Sequence, residues 1–203
     1  MIFNHSNFSI INENSLVLNI TSLLRSTDRL NFMDFGCGIA SLYEKIPNKN
    51  FILFDKNKDV LKLHDKKKEH NICIIHSLDE LLLNEIKPDI VLLNSVIQYI
   101  KKEDLLEIIN FFISNFPHIK LIISDIPVHN RFVEFLLLFI TNTKDIFTIY
   151  SDIFTNISNK DYKDLYFTTY DKEFFRSIEG TNIEIKKNFY LFKTRYSILI
   201  TKD

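Results

Sequence analysis

Leu30-Asn31-Phe32-Met33-Asp34-Phe35-Gly36-Cys37-Gly38-Ile39-Ala40-Ser41 reads as a buried strand that stops at a carboxylate, turns on two glycines and enters a helix at small residues. The whole chain has only three glycines. Two of them, one residue apart in this turn, imply a need for backbone freedom or for the close approach of a ligand. A dinucleotide-binding turn wants G-x-G-x-x-G, and its third glycine would fall on Ser41. The other spacing, an acid, one spacer and then G-x-G-x-small, puts Asp34, Gly36, Gly38 and Ala40 in register. A carboxylate beside a pyrophosphate is repelled, whereas beside an ammonium or sulphonium it is favourable. The stretch therefore reads as a nucleoside-binding loop for a cationic ligand.

A second carboxylate supports this reading. Residues 51–54 form another apolar strand, and it ends at Asp55, 21 positions beyond Asp34. That is close to the interval of about 20 residues at which an acid ending the second strand of a nucleoside-binding α/β unit meets the ribose hydroxyls. An aspartate at a strand end can also simply cap the following helix, a role for which Asn57 competes.

With these residues in place, the chain resembles the class I S-adenosylmethionine-dependent methyltransferases, whose first motif is the acidic-x-G-x-G-x-G/A turn. The resemblance implies an α/β Rossmann-like sandwich: a mostly parallel seven-stranded sheet with a terminal antiparallel strand and helices on both faces. It implies S-adenosylmethionine as cofactor and S-adenosylhomocysteine as product. The cofactor site it implies comprises Asp34, Phe35, Gly36, Cys37, Gly38, Asp55, Lys56, Ser77, Leu78, Asn94 and Ser95, with Asp55 on the ribose and Ser77 and Leu78 near the adenine. Ser77 departs from the acid more common in the family at that place. The run Asn94-Ser95-Val96-Ile97-Gln98-Tyr99 resembles the fourth motif of the small-molecule branches and lacks the Asn/Asp-Pro-Pro-Tyr/Phe form, which disfavours DNA and glutamine as acceptors.

Composition sets the bounds. A chain of 203 residues with 46% hydrophobic content suits one compact α/β domain spanning 1–203. A net charge of −1 with interspersed signs points away from nucleic acid and towards a small-molecule acceptor. Lys66-Lys67-Lys68, flanked by Asp65 and Glu69, reads as a solvated helical face. Cys37 and Cys73 show no framework spacing, so a reducing, cytoplasmic setting is expected, with no metal site and no membrane insertion. The oligomeric state is left open.

In chain order the pattern predicts a leading helix within 5–27, a strand at 30–35, the glycine turn, a short helix before Pro47 and a strand at 51–54. A helix follows at 58–70 with Val60, Leu61 and Leu63 inward. Then come a strand at 72–75, a central strand at 89–94, a helix at 101–116 and a strand at 120–124. Asp89 reads as structural. Residues 126–170 are too long for an ordinary connection and read as a helical lid over the acceptor. A helix at 171–178 with Gly180 as its C-cap and closing strands at 182–189 and 195–201 complete the chain.

Methyl transfer from a sulphonium is an in-line displacement, and holding the reactants in line supplies about 7–11 kcal/mol of the barrier. A hydroxyl acceptor would gain from a base. His129 is the candidate, with Asp125 next, while Tyr99, Arg131, Tyr150 and Tyr166 are candidates to touch the acceptor, Arg131 through a phosphate or carboxylate. Ser124-Asp125-Ile126-Pro127, followed by an Asn-Arg-Phe step, loosely resembles methyltransferases of surface-polysaccharide biosynthesis. Two other readings remain: a methyltransferase-like subunit that binds the cofactor without turnover, and an aminopropyl transferase, which would want more acids in the mouth.

Overall fold

The computed structural model describes residues 31–38, 50–65, 71–127, 168–187 and 195–203. The leading helix, the helix before Pro47, Lys66-Lys67-Lys68, and nearly all of the lid expected at 126–170 lie outside the described residues.

Five strands run parallel. These are β1 (Asn31–Phe35), β2 (Asn50–Phe54), β3 (Ile72–Ile75), β4 (Ile90–Asn94) and β5 (Lys120–Pro127). Two more, β6 (Thr181–Lys187) and β7 (Arg195–Lys202), complete a seven-stranded sheet in the order β3-β2-β1-β4-β5-β7-β6. β7 is antiparallel to both of its neighbours, so the last strand of the chain sits between β5 and β6 rather than at the edge. The helices are α1 (Lys58–Asp65), α2 (Asp79–Leu83), α3 (Lys102–Asn115) and α4 (Lys172–Arg176), with a 3-10 turn at Ile97–Tyr99. This is the Rossmann-like arrangement that the resemblance implied.

Alternation along the strands explains why both faces are covered, since successive side chains point to opposite sides. Met33, Phe35, Val91 and Leu93 join Leu105, Ile109 and Phe112 of α3 in one core. Phe32, Leu53, Ile90 and Leu92 join Val60 and Leu61 of α1 in the other. Asp34 has the parity of Phe32, and its register partners are Leu53 of β2 and Leu92 of β4. A carboxylate only 3% exposed is thus set between two fully buried leucines.

Several boundaries differ from the sequence expectation. β5 does not stop at Ser124 but continues to Pro127, with a register shift against β7 between Ile123 and Ile126. Two positions on β5 there, 124 and 125, oppose one on β7, 197, a bulge of the kind that bends a strand near its working end. The helix expected at 171–178 is shorter, Lys172–Arg176. Asp171 caps it by accepting from the Phe174 amide at 2.7 Å, and Ser177, not Gly180, is the C-cap. Gly180, at φ +69°, instead forms the turn into β6. The short helix α2 was not expected. It ends in a Schellman turn, with Ile86 N–H on Leu81 C=O at 2.8 Å and Glu85 N–H on Leu82 C=O at 3.3 Å, so the left-handed position falls on Glu85, at φ +53°. Asp89 is structural, as expected. It accepts from the Asn31 amide at 2.8 Å and so ties the start of β1 to the entry of β4.

Candidate functional site

The chain builds outward from β1 to β2 to β3 and then returns to place β4 on the other side of β1. That reversal is a topological switch point, where the connections leaving β1 and β4 diverge and a crevice opens beyond the carboxyl ends of the strands. The turn after β1 and the turn after β4 are its two lips.

The first lip is held by backbone. The amides of Gly36 and Cys37 both donate to the Phe54 carbonyl, at 2.7 and 3.1 Å, folding the turn over the end of β2. Phe35 and Phe54 pack beneath it with ring centroids 4.8 Å apart. Gly36 and Gly38 both have left-handed backbones, at φ +76° and +57°, but for different reasons. A Cβ on Gly36 would lie 2.6 Å from Val96 Cγ2 in the other lip, so that glycine serves protein packing. Among the described residues a Cβ on Gly38 would meet nothing within 4 Å, which leaves an open face beside the turn.

Asp55 organises the loop after β2 with both of its oxygens. One accepts from the Gly38 amide at 3.0 Å and the other from the Asn57 amide at 2.8 Å. Asn57 then caps α1 by accepting from the Asp59 amide at 3.0 Å, so the cap falls to Asn57 and leaves Asp55 at the turn. The field here is negative. Burial pushes the Cys37 thiol far above its ordinary range, and the charges of Asp34 and then Asp55 push it further the same way. Both carboxylates therefore act on the tip of a single turn.

The second lip starts at half-buried Asn94 and Ser95. Ser95 adopts φ +54°, a conformation that costs a non-glycine residue roughly 1–2 kcal/mol, and its amide donates to the Ser124 carbonyl of β5 at 3.2 Å. The 3-10 turn follows with half-buried Tyr99 and with Gln98, which is 5% exposed and whose buried Oε1 has no hydrogen-bond partner among the described residues. Two bonds fasten residues 168–170 to this turn and its end, and a third ties them to β7. Thr168 N–H donates to Gln98 C=O at 2.8 Å, Tyr170 O–H to Ile100 C=O at 2.8 Å, and Tyr196 O–H of β7 to Tyr170 C=O at 2.8 Å. Burial raises both phenols well above their usual range.

The remaining sequence candidates are distributed around and beyond these lips. Lys56 is exposed in the bend after β2. Ser77 and Leu78 are half-buried at the end of β3, where their carbonyls accept from Glu80 and Leu81 and start α2. The backbone of Asp125 lies at the β5 bulge, and its side chain is outside what is described. His129, Arg131, Tyr150 and Tyr166 lie outside the described residues. Among the described residues no three His, Cys, Asp or Glu side chains come together as a metal-binding group. Likewise no described helix is long and apolar enough to cross a membrane.

Three residues of the site were missed in the sequence: His64, Val96 and Tyr170. Of these, only His64 left a readable signal. On a helix turning about 100° per residue, position 64 lies within about 10° of the direction midway between Val60 and Leu61, whereas position 63 lies about 110° away. The inward residue is His64, 2% exposed, and Leu63 is 38% exposed, which corrects the expected face of α1.

The sequence matches no family model and no curated protein. Its architecture does have counterparts. Magnesium protoporphyrin IX methyltransferase (ChlM) from Synechocystis PCC 6803, with bound SAH, aligns at a TM-score of 0.63 and 16% identity over 100% of this chain and 90% of that one. The plantazolicin methyltransferase BpumL in complex with SAH aligns at 0.60 and 13% identity over 98% and 88% of the two chains. The small RNA methyltransferase HEN1 aligns at 0.61 and 16% identity over 94% of this chain but 25% of its own. At such identities it is architecture that is shared, and from the strand order, the switch point and these counterparts together, this chain has the class I methyltransferase fold.

Proposed function

We propose that the chain is an S-adenosylmethionine-dependent methyltransferase acting on a small polar acceptor. The observation that carries this reading is the glycine turn itself, in which two carboxylates bear on one loop tip beside the open face of Gly38. Such a site favours a nucleoside with a positive charge. The residues fit this ligand in a second respect. An ionised carboxylate offers about four lone-pair sites, and the two backbone amides on Asp55 occupy one on each oxygen. Capacity therefore remains for two ribose hydroxyls.

In this reading Asp34, Phe35, Gly36, Cys37, Gly38, Asp55, Lys56, Ser77, Leu78, Asn94 and Ser95 line the cofactor site. S-adenosylmethionine supplies a methyl group on a sulphonium, with a neutral thioether as leaving group. The chain's part is to orient and to exclude water. The turn sets the ligand's depth by backbone contact, Asp34 and Asp55 favour its charge and sugar, and Tyr99 sits on the lip that faces an incoming acceptor. Asp125 and His129 are the candidates to remove a proton from an acceptor hydroxyl, and Arg131, Tyr150 and Tyr166 to bind it. The acceptor class we favour is a sugar or phosphate-bearing intermediate of surface-polysaccharide biosynthesis, on the strength of the 124–132 sequence.

Calorimetry with S-adenosylmethionine and S-adenosylhomocysteine tests the reading directly. Micromolar binding of either is the expected result, and no heat from both refutes it. Release of S-adenosylhomocysteine across a panel of sugars, phosphate esters and amines then separates an enzyme from a subunit that only binds.

A further inference from the structure

His64 has no place in the cofactor set above, yet its ring is buried in the helix that follows β2. Its Nε2 lies 2.7 Å from the Gly38 carbonyl oxygen. A carbonyl only accepts, so Nε2 carries the proton and donates it. On the other side of the same residue, the Gly38 amide donates to Asp55 Oδ2 at 3.0 Å. Gly38 is thus gripped through both of its polar backbone groups by one unit, the end of β2 and the helix α1, which Asp55 and Asn57 themselves join.

This grip matters because of what Gly38 lacks. It has no side chain, its backbone is left-handed, and among the described residues nothing lies within 4 Å of where a Cβ would be. Gly36 is different, since Val96 packs against it. Among the described residues, the contacts that fix the half of the turn facing the open side are these two hydrogen bonds, and a glycine loses more conformational freedom on ordering than any other residue. Without the histidine, the Gly38 carbonyl would be left without this donor in a part-buried setting and the turn would sample other backbone angles. A ligand would then have to order it on binding.

We propose that His64 is a positioning residue, which locks the Gly38 peptide from the α1 side and so preorganises the turn for the adenosyl ligand. The assignment of that ligand rests on the function proposed above, while the lock itself does not. Two variants separate the roles. His64→Leu keeps an apolar filling and removes the donor. His64→Gln carries an amide N–H to nearly the same point as Nε2. Where leucine prevents folding, His64→Asn replaces it, because its shorter amide cannot reach the carbonyl.

Two readouts are taken on full-length protein. Amide hydrogen exchange over residues 36–38 of the ligand-free protein reads the lock, and calorimetry with S-adenosylhomocysteine reads its coupling to binding. We expect exchange at Gly38 to be at least tenfold faster in His64→Leu and close to the parent rate in His64→Gln. S-adenosylhomocysteine affinity should fall about tenfold in the first and less than threefold in the second, one lost hydrogen bond corresponding to roughly a tenfold change. Unchanged exchange and unchanged affinity in a folded His64→Leu overturn the proposal, as does a His64→Gln variant no better than leucine. If the parent itself gives no heat, the ligand role falls together with the proposed function, and the exchange data alone then confirm or overturn the lock.

Discussion

Gly36→Ala is the sharpest perturbation available, because two separate physical terms meet at that position. An L-residue held at φ +76° pays for a left-handed backbone, about 1–2 kcal/mol. Its methyl would also stand 2.6 Å from Val96 Cγ2 and 3.1 Å from Val96 Cβ, so turning the valine about χ1 moves one contact and leaves the other. Overpacking of this kind costs roughly 1–3 kcal/mol. The expected loss is therefore about 2–5 kcal/mol, or roughly 4–20 °C in Tm for a chain of this size. Gly38→Ala provides the control: its backbone angle, +57°, is as unusual, but the new methyl enters open space, so only the first term, about 1–2 kcal/mol, applies. Urea titration of both variants, of Val96→Ala and of the Gly36→Ala/Val96→Ala double variant gives the cycle. Trimming Val96 removes the 2.6 Å contact, so the cycle should return a favourable coupling of about 1–3 kcal/mol. Gly36→Ala no less stable than Gly38→Ala, or a coupling near zero, would refute the argument that the two lips of the crevice lock together here. Calorimetry adds the functional half: Gly38→Ala should remain folded and lose most S-adenosylhomocysteine affinity, because its methyl occupies the open face.

Four further outcomes follow from the geometry. Glu85→Gly should raise stability by about 1 kcal/mol in urea titration, since it relieves the left-handed residue of the Schellman turn without touching the core. Gln98→Met should be neutral or stabilising by about 1–2 kcal/mol, because it removes a buried acceptor that has no partner among the described residues; a large loss of stability would show that the amide is satisfied in the folded protein. Tyr196→Phe should cost roughly 1–2 kcal/mol and raise the susceptibility of residues 168–170 to proteolysis, since it leaves the Tyr170 carbonyl without its donor. The Cys37 thiol keeps its proton above the ordinary value of 9.0, so above that pH the unfolded chain binds fewer protons than the folded one and stability falls as pH rises; Cys37→Ala should flatten that fall above pH 9.0, and native Cys37 should resist alkylation below that pH.

The local chemistry of this chain was legible in its sequence. Strand-ending Asp34 and Asp55, the two glycines between them and the continuous apolar run of β4 are signals carried by neighbouring residues, and they were enough to mark the strands, to place the turn and to expect two acids on one crevice. Amphipathic spacing also marked α3, where Leu105, Ile109 and Phe112 are buried as their period requires. What the sequence could not supply were pairings between distant residues. Gly36 needs to be a glycine because of Val96, and nothing near position 36 says so. His64 looks like one more polar helix residue until the turn of α1 brings its ring to the Gly38 carbonyl, and the tyrosines at 170 and 196 become a fastening only when β7 inserts between β5 and β6. Local propensity and periodicity act over a few residues, so they select elements and their ends. Which side chains meet across the switch point depends on sheet order and register, and those are settled only when both cores close around the sheet.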